Sequence, residues 1–258
     1  LAGVFPFADS FDDVGPFTGN AADMVTVWNI LTDRDTVSLR DPAAAPRIAR
    51  LGGRFAENCD AAQHTAIAAV APDAPVIELP DIARARSAAF VITAYEGGGL
   101  HRETLAKAAM HYDPATRSRL MAGILLPESL YVRAKAFQAQ LRARIVALFD
   151  RFDILLAPAT PCVAPPVVDP RIMIDGALSP ARADLGIHTQ PISFLGLPSL
   201  AVPLNRPDTL PLGLQLIGRP GGEPMLFALA AKLEKADIIA STPPHGASEM
   251  GHFMGEVA

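Results

Sequence analysis

Apolar residues recur along this chain in two periods, and those periods assign most of its elements. Over residues 128–149, Leu130, Ala134, Phe137, Leu141, Ile145 and Leu148 follow one another at steps of three and four. That is the stripe of a long amphipathic helix, expected to pack its apolar side on a sheet. Asn20 stands ahead of another periodic run with Asp23 three residues on, an arrangement close to a capping box that predicts a helix over 21–31. Asp60 is placed to cap a second helix, and a further helical segment begins near Asp81. Residues 101–110 and 114–125 read as helices, the latter with Pro114 in its first turn, where the missing N–H costs nothing.

The other period is that of strands. Residues 189–224 contain two short, wholly apolar runs bounded by Gly and Pro and followed by a helix over 223–236, the pattern of a sheet centre buried on both faces. Residues 76–79 and 154–157 read as further short strands, the second leading into the Pro-rich loop P-A-T-P-C-V-A-P-P. Residues 33–58 read as connecting structure, 169–186 as a polar excursion, and the residues from 241 onward show no periodicity. The expected architecture is α/β, one domain over 1–237 with an irregular tail over 238–258. No internal repeat divides it.

Composition narrows the functional classes. The chain has 258 residues, 50% of them hydrophobic, and a mean hydropathy of +0.25, enough to bury a substantial core. A net charge of -5 offers no basic surplus to neutralise phosphates, which argues against nucleic-acid partners. Pro interrupts the richest apolar stretches, so no run approaches the roughly 20 residues that cross a bilayer. Cys59 and Cys162 lie in no metal-ligand spacing and are too few for a disulfide framework, as suits small buried side chains in a reducing cytoplasm. The first ten residues carry no basic n-region and reach Pro and Asp too early for a signal peptide. The opening G-V-F-P-F reads as the interior of a domain rather than a solvated terminus.

Self-sufficient chemistry is hard to assemble from these residues. No G-x-S-x-G elbow is present. Ser193, between two apolar residues in an expected strand-flanking loop, is the most pocket-like serine, yet reads more readily as a satisfied hydroxyl than as a nucleophile. The six histidines form no H-x-x-x-H or H-E-x-x-H pair, so no metal is expected, and His101 and His188 read as hydrogen-bonded structural residues. Asp12 and Asp13 are adjacent and should point apart, Asp12 bracing a turn that leads to Gly15 and Pro16. The G-R-P-G-G at 218–222 lacks the Lys and Ser or Thr of a phosphate cradle and reads as a strand-to-helix turn. No cofactor is implied.

Several motifs in order nonetheless resemble one family. S-F-D-D-V-G-P-F-T-G-N-A-A-D-M at 10–24, Tyr131 with Ala134, F-D-I-L-L-A-P-A-T-P at 152–161, G-L-P-S-L-A-V-P at 196–203 and P-L-G-L-Q-L-I-G-R-P at 211–220 are together similar to the C-terminal portion of the amidase signature family. The resemblance implies a mixed sheet flanked by helices, and hydrolysis of a carboxamide through a Ser-Ser-Lys triad with a backbone oxyanion hole. The triad is expected upstream of Leu1, so no catalytic residue is carried onto this sequence. The chain would then lack the N-terminal half of its domain and be inactive alone.

Where the amidotransferase glutamine amidases are expected to hold substrate with an Arg and an Asp, this chain has Gln138 and Gly186. The wording L-G-I-H-T-Q-P-I-S-F-L-G-L-P is closer to the carboxybiuret-hydrolase subgroup, which implies a small urea-like amide substrate and a small helical partner subunit. Gln190 and Ser193, flanking the loop before Gly196, and Tyr131 and Gln138 on the long helix are the binding candidates. Two alternatives stay open beside this reading: a glutamine amidase of the amidotransferase kind, and a non-catalytic truncated relative serving as an interaction module. The bare apolar sequence of residues 1–9, lacking protective charge, favours a portion of an enzyme.

Overall fold

The computed structural model describes residues 3–33 and 45–241. The expected irregular residues from 242 onward, and part of the expected connection over 33–58, lie outside them.

The polar punctuation of the sequence is realised at the helix starts. The Asn20 side-chain oxygen accepts the Asp23 N–H at 2.8 Å and its amide donates to the Asp23 carboxylate at 2.9 Å, opening α1 (Ala21–Thr32). A strand absent from the expectation follows, β1 (Ile48–Leu51), then a one-turn α2 (Arg54–Glu57). The run I-A-R-L is too short and carries too central a charge to show a strand period; pairing on both sides makes it a strand. Asp60 and Gln63 close a capping box on α3 (Ala61–Val70). The expected strand over 76–79 is only β2 (Val76–Ile77).

Four helices come next: α4 (Ile82–Leu100), α5 (Arg102–Ala108), α6 (Pro114–Leu125) and α7 (Glu128–Val146). The helices expected over 101–110 and 128–149 each end in a 3₁₀ turn, Ala109–His111 and Ala147–Asp150. Asp113 caps α6 by accepting the Thr116 N–H at 3.0 Å.

After β3 (Ile154–Pro158), the polar excursion folds as a hairpin, β4 (Arg171–Ile174) and β5 (Ala177–Pro180), followed by the short α8 (Ala181–Asp184). Its turn is Asp175-Gly176, with φ of 51° and 78°, the positive angles that an Asp-Gly hairpin turn needs. That dipeptide signal stood in the sequence. Ile172, Ile174, Ala181 and Ile187 form a small apolar cluster beneath it.

The last apolar stretch differs in one element. Before the two strands, β6 (Ser199–Pro203) and β7 (Gly213–Gly218), residues 190–195 form a helix, α9 (Gln190–Leu195), started by Pro191 and ended by Gly196 at φ 60°. Six residues, four of them apolar, are too short to show a 3.6 period. The turn at 218–222 leads into α10 (Glu223–Lys235) as expected, Gly221 adopting φ 74°. Beyond it the Asn205 N–H donates to Ile238 O at 2.9 Å and Leu204 bridges Ile239, so residues 238–240 pair alongside the end of β6 and the packed region passes residue 237.

The sheet order is β2-β1-β3-β7-β6, parallel among the first three and antiparallel across β3–β7 and β7–β6. This is the mixed sheet that was expected, with helices on both faces. Alternate residues of β3 serve the two sides. Leu155 and Ala157 join the cluster under α4, α7 and α9, while Ile154 and Leu156 join that of α3 and α10. All four are fully buried, which is why the strand reads as a continuous apolar run. Helix α7 was expected to lie on the sheet, but it packs chiefly on α4 and α9, its Leu141 and Ile145 reaching the cluster that holds Leu155 and Ile217. Among the described residues no helix is long and apolar enough to cross a membrane.

Helices α4 and α6 approach to backbone contact. A Cβ on Gly123 would lie 1.7 Å from the Ala94 carbonyl oxygen, whereas one on Gly99 would meet nothing within 4 Å. Gly123→Ala must therefore spread the two helices, at a cost of at least about 1–3 kcal/mol. Urea denaturation is expected to show that loss for Gly123→Ala and little or none for Gly99→Ala.

Candidate functional site

A cleft of about 610 Å³ opens between the segment 10–16, Met24 and Trp28 of α1, Ser193 with the loop 196–198 and the start of β6, and the start of α10. Its first wall is shaped by Asp12, whose carboxylate accepts the Phe7 N–H at 2.6 Å and the Ala8 N–H at 3.1 Å. Asp12 thus braces the turn before it, not the one leading to Gly15 and Pro16. The Asp13 carboxylate accepts the Val14 N–H at 2.8 Å, so the two neighbouring carboxylates point apart and make no acid/base dyad.

Ser10, at the edge of this wall, is gripped from two helices. Glu96 of α4 accepts its N–H at 2.9 Å and its hydroxyl at 2.5 Å, and also accepts the Tyr131 hydroxyl at 2.9 Å. Lys135 Nζ donates to Ser10 Oγ at 3.0 Å. Desolvation first, and the bond to the Glu96 carboxylate second, raise the Tyr131 phenol above its ordinary value and keep it a donor. Its ring stacks on Tyr95, with centroids 4.5 Å apart.

The opposite wall is α9. Phe194 and Leu195 are fully buried and Ile192 nearly so, which leaves Ser193 exposed on the cleft, on a helix and not in the expected loop. Two side chains of α7 satisfy the last carbonyls of α9: Gln138 Nε2 donates to Phe194 O at 2.7 Å and Arg142 Nε to Leu195 O at 2.9 Å. The Gln190 side-chain oxygen accepts from Arg86 Nε at 3.0 Å, and Arg86 pairs with Asp184 at 2.7 Å.

The four expected binding residues therefore separate. Ser193 lines the cleft and Tyr131 reaches its edge through Glu96 and Ser10, whereas Gln138 holds the backbone of α9 and Gln190 is tied to α4 beside α8. Glu96, Lys135 and Ser10 were missed. The polar face Tyr131, Lys135, Gln138 and Arg142, at steps of four, three and four, was the signal available for Lys135. Nothing local connects Glu96 to Ser10, 86 positions away.

The histidines divide as well. His101 is buried between the Tyr112 hydroxyl and the Pro6 carbonyl, each 3.0 Å from a ring nitrogen, as expected of a structural residue. His188 departs from that expectation. It is fully buried, stacks on Phe55 with centroids 5.6 Å apart, and has no hydrogen-bond partner on either ring nitrogen. Burial lowers its pKa to about 4, an effect that the nearby Arg54 and Thr160 carbonyls, short of hydrogen-bond geometry, only partly oppose. The Cys59 thiol is pushed up to about 11, by burial first and the Asp60 charge second, and so is a poor nucleophile. No group of three or more His, Cys, Asp or Glu able to hold a metal occurs among the described residues.

The family model named Amidase matches residues 77–227, and the chain belongs to that family. Among its relatives, AtzE, a 1-carboxybiuret hydrolase subunit of Pseudomonas sp. (strain ADP), is 33% identical over 255 residues, covering 92% of this chain and 56% of that protein. A glutamyl-tRNA(Gln) amidotransferase subunit from Symbiobacterium thermophilum is 24% identical over 278 residues, covering 90% of this chain and 56% of that one. A solved vestigial protein complex bearing on the evolutionary origins of an s-triazine catabolic enzyme superposes with a TM-score of 0.85 at 32% identity, over 93% of this chain and 57% of that one. A crystal structure of an amidase superposes with a TM-score of 0.79 at 26% identity, over 91% and 55%. The chain thus spans a little over half the length of these relatives.

The His188 environment has a measurable consequence. A histidine whose folded pKa lies below its unfolded value near 6.5 contributes full stability above pH 6.5 and loses it as the pH falls towards 4. The loss is on the order of 3 kcal/mol. Carboxylates with a lowered pKa, such as Asp184, lose their contribution from the ordinary carboxylate range downwards, mostly below pH 4. Melting temperatures measured between pH 6.5 and 4 are expected to fall steeply for the native chain and to flatten for His188→Phe.

Proposed function

We propose that this chain supplies the pocket wall and much of the sheet of an amidohydrolase acting on a small carboxamide or urea-like amide. In this reading the nucleophile and base are a Ser-Ser-Lys triad carried upstream of Leu1. The observation that carries it is the cleft itself: two walls bring Ser10 and Ser193 to one opening, and no His or Lys accepts a hydrogen bond from either hydroxyl among the described residues. The Ser10 hydroxyl donates a hydrogen bond to Glu96 and accepts one from Lys135, so Lys135 acts on it as a donor and not as a base. The sequence also contains no Gly-Ser-Ser-Gly-Gly loop.

The part left to these residues is positioning. Hydroxyl and backbone groups on the two walls hold the amide so that an incoming serine approaches the face of its carbonyl, which converts binding into rate. A glutamine substrate is disfavoured, because Gln138 is committed to the Phe194 carbonyl and Gly186 offers no side chain. A cytoplasmic site and a small helical partner subunit belong to the same proposal. The first is supported by the unpaired Cys59 and Cys162, the second by two relatives that are themselves named as subunits.

Ammonia release from a panel of small carboxamides and urea-like amides tests this reading. Turnover is expected from the chain joined to its upstream coding region and none from the 258 residues alone. Turnover by the chain alone overturns the placement of the triad, and silence from the joined protein overturns the amidase reading.

A further inference from the structure

Strand β6 ends the sheet with part of its outer edge open. The Gly218 N–H donates to Pro198 O and the Leu204 N–H to Leu212 O, each at 2.9 Å, so the even-numbered residues of 198–204 turn their backbone groups towards β7. Ser199, Ala201 and Pro203 turn theirs the other way. On that side the Pro203 carbonyl accepts the Ala240 N–H at 3.2 Å, and residues 238–240 cover that end. The N–H and C=O groups of Ser199 and Ala201 have no hydrogen-bond partner among the described residues, and both residues are exposed. The opposite edge, β2, is only two residues long, one of the ways a sheet edge is blunted. Strand β6 has no such defence: S-L-A-V-P carries no charge, and its proline lies at the end already covered.

A groove runs along this edge. Ser199 and Leu200 line the large cleft, Leu200, Ala201, Val202 and Pro203 line a smaller one of about 80 Å³ against residues 18–21, and Met24 and Leu200 belong to both. The groove therefore follows the whole strand and opens beside Ser193. Two outward-facing residues, two positions apart, present pairs of N–H and C=O groups roughly 7 Å apart, a spacing that an extended strand meets and a helix, its backbone groups already used, does not. We propose that β6 is the docking edge for a strand of the protein's upstream part, which pairs with Ser199 and Ala201 and leads into the cleft. The inference rests on the reading that the reacting groups lie upstream, and it names where that part attaches. This chain covers 56% of AtzE and 57% of the solved complex's chain, so over two fifths of each has no counterpart here, length enough for such a strand. A second copy pairing edge to edge is the rival occupant. It would bring the same wall, residues 10–21, against its counterpart, whereas a single strand fits between wall and edge.

Hydrogen exchange at single-amide resolution, on the chain joined to its upstream coding region, tests the attachment. The Ser199 and Ala201 amides are expected to exchange roughly a hundredfold or more slower than unpaired amides, at a rate independent of protein concentration. A benzophenone attached through Ser199→Cys, in a background of Cys59→Ser and Cys162→Ser, should cross-link into the upstream part. Open exchange at both amides, protection that appears only as concentration rises, or cross-links confined to residues 1–258 overturns the proposal. Ammonia release by the same preparation separates this from the reading beneath it. Protected amides without turnover leave the attachment standing and count against the amidase reading, and turnover with both amides open does the reverse.

Discussion

One polar face of α7 sets the geometry on which the cleft depends. Tyr131, Lys135, Gln138 and Arg142 recur at helical spacing; the first two reach the Ser10 segment, directly or through Glu96, and the last two hold the closing carbonyls of α9. The two walls of the cleft are thus referred to one rigid rod. Helix α9 needs that help, since six residues make too few internal hydrogen bonds to stand alone and their terminal carbonyls would otherwise be left without partners.

The rod is itself fixed from behind. Its apolar side meets α4 and the cluster around Leu155 and Ile217, while α4 is locked to α6 by a contact with room for no side chain at Gly123. Below, β3 is buried on both faces, so a shift of α7 would disturb packing on one side of a strand that also serves α3 and α10. Buried polar groups continue the same logic at the strand ends. The Gln215 amide donates to Pro158 O and His188 O, and the Gln63 amide donates to Thr160 O and Gly213 O, tying the exit of β3 and the entry of β7 to the neighbouring loops. Beside this satisfied set, the His188 ring nitrogens and Arg119 Nε are buried without hydrogen-bond partners, and the His188 ring is held by stacking and burial.

Much of the fold was legible because local physics and tertiary structure agreed. Asn20, Asp60 and Pro114 mark helix starts in the sequence and do so in the structure, and the apolar runs at 154–157 and 213–218 are strands buried on both sides. What escaped was decided by partners far away or by elements too short to show a period: β1, made a strand by its neighbours, and α9, an apolar helix of under two turns. The hairpin at Asp175-Gly176 was a missed turn signal rather than an illegible one. The site followed the same division. The candidates Ser193 and Tyr131 lie in the cleft and at its edge, whereas Glu96 meets Ser10 through a contact across 86 positions that no spacing reveals, and Gln138 donates to the backbone of α9.

If one face of α7 holds the cleft together, removing its grip on α9 must loosen that wall and spare the sheet. Amide hydrogen exchange on Gln138→Leu with Arg142→Met measures this directly. The Gly196 and Leu197 amides, which donate to Ser193 O and Ile192 O, are expected to exchange roughly tenfold or more faster, with β3 amides unchanged. Unaltered protection at Gly196 and Leu197 would contradict the account, because α9 would then be held by its own packing and not by the helix beside it.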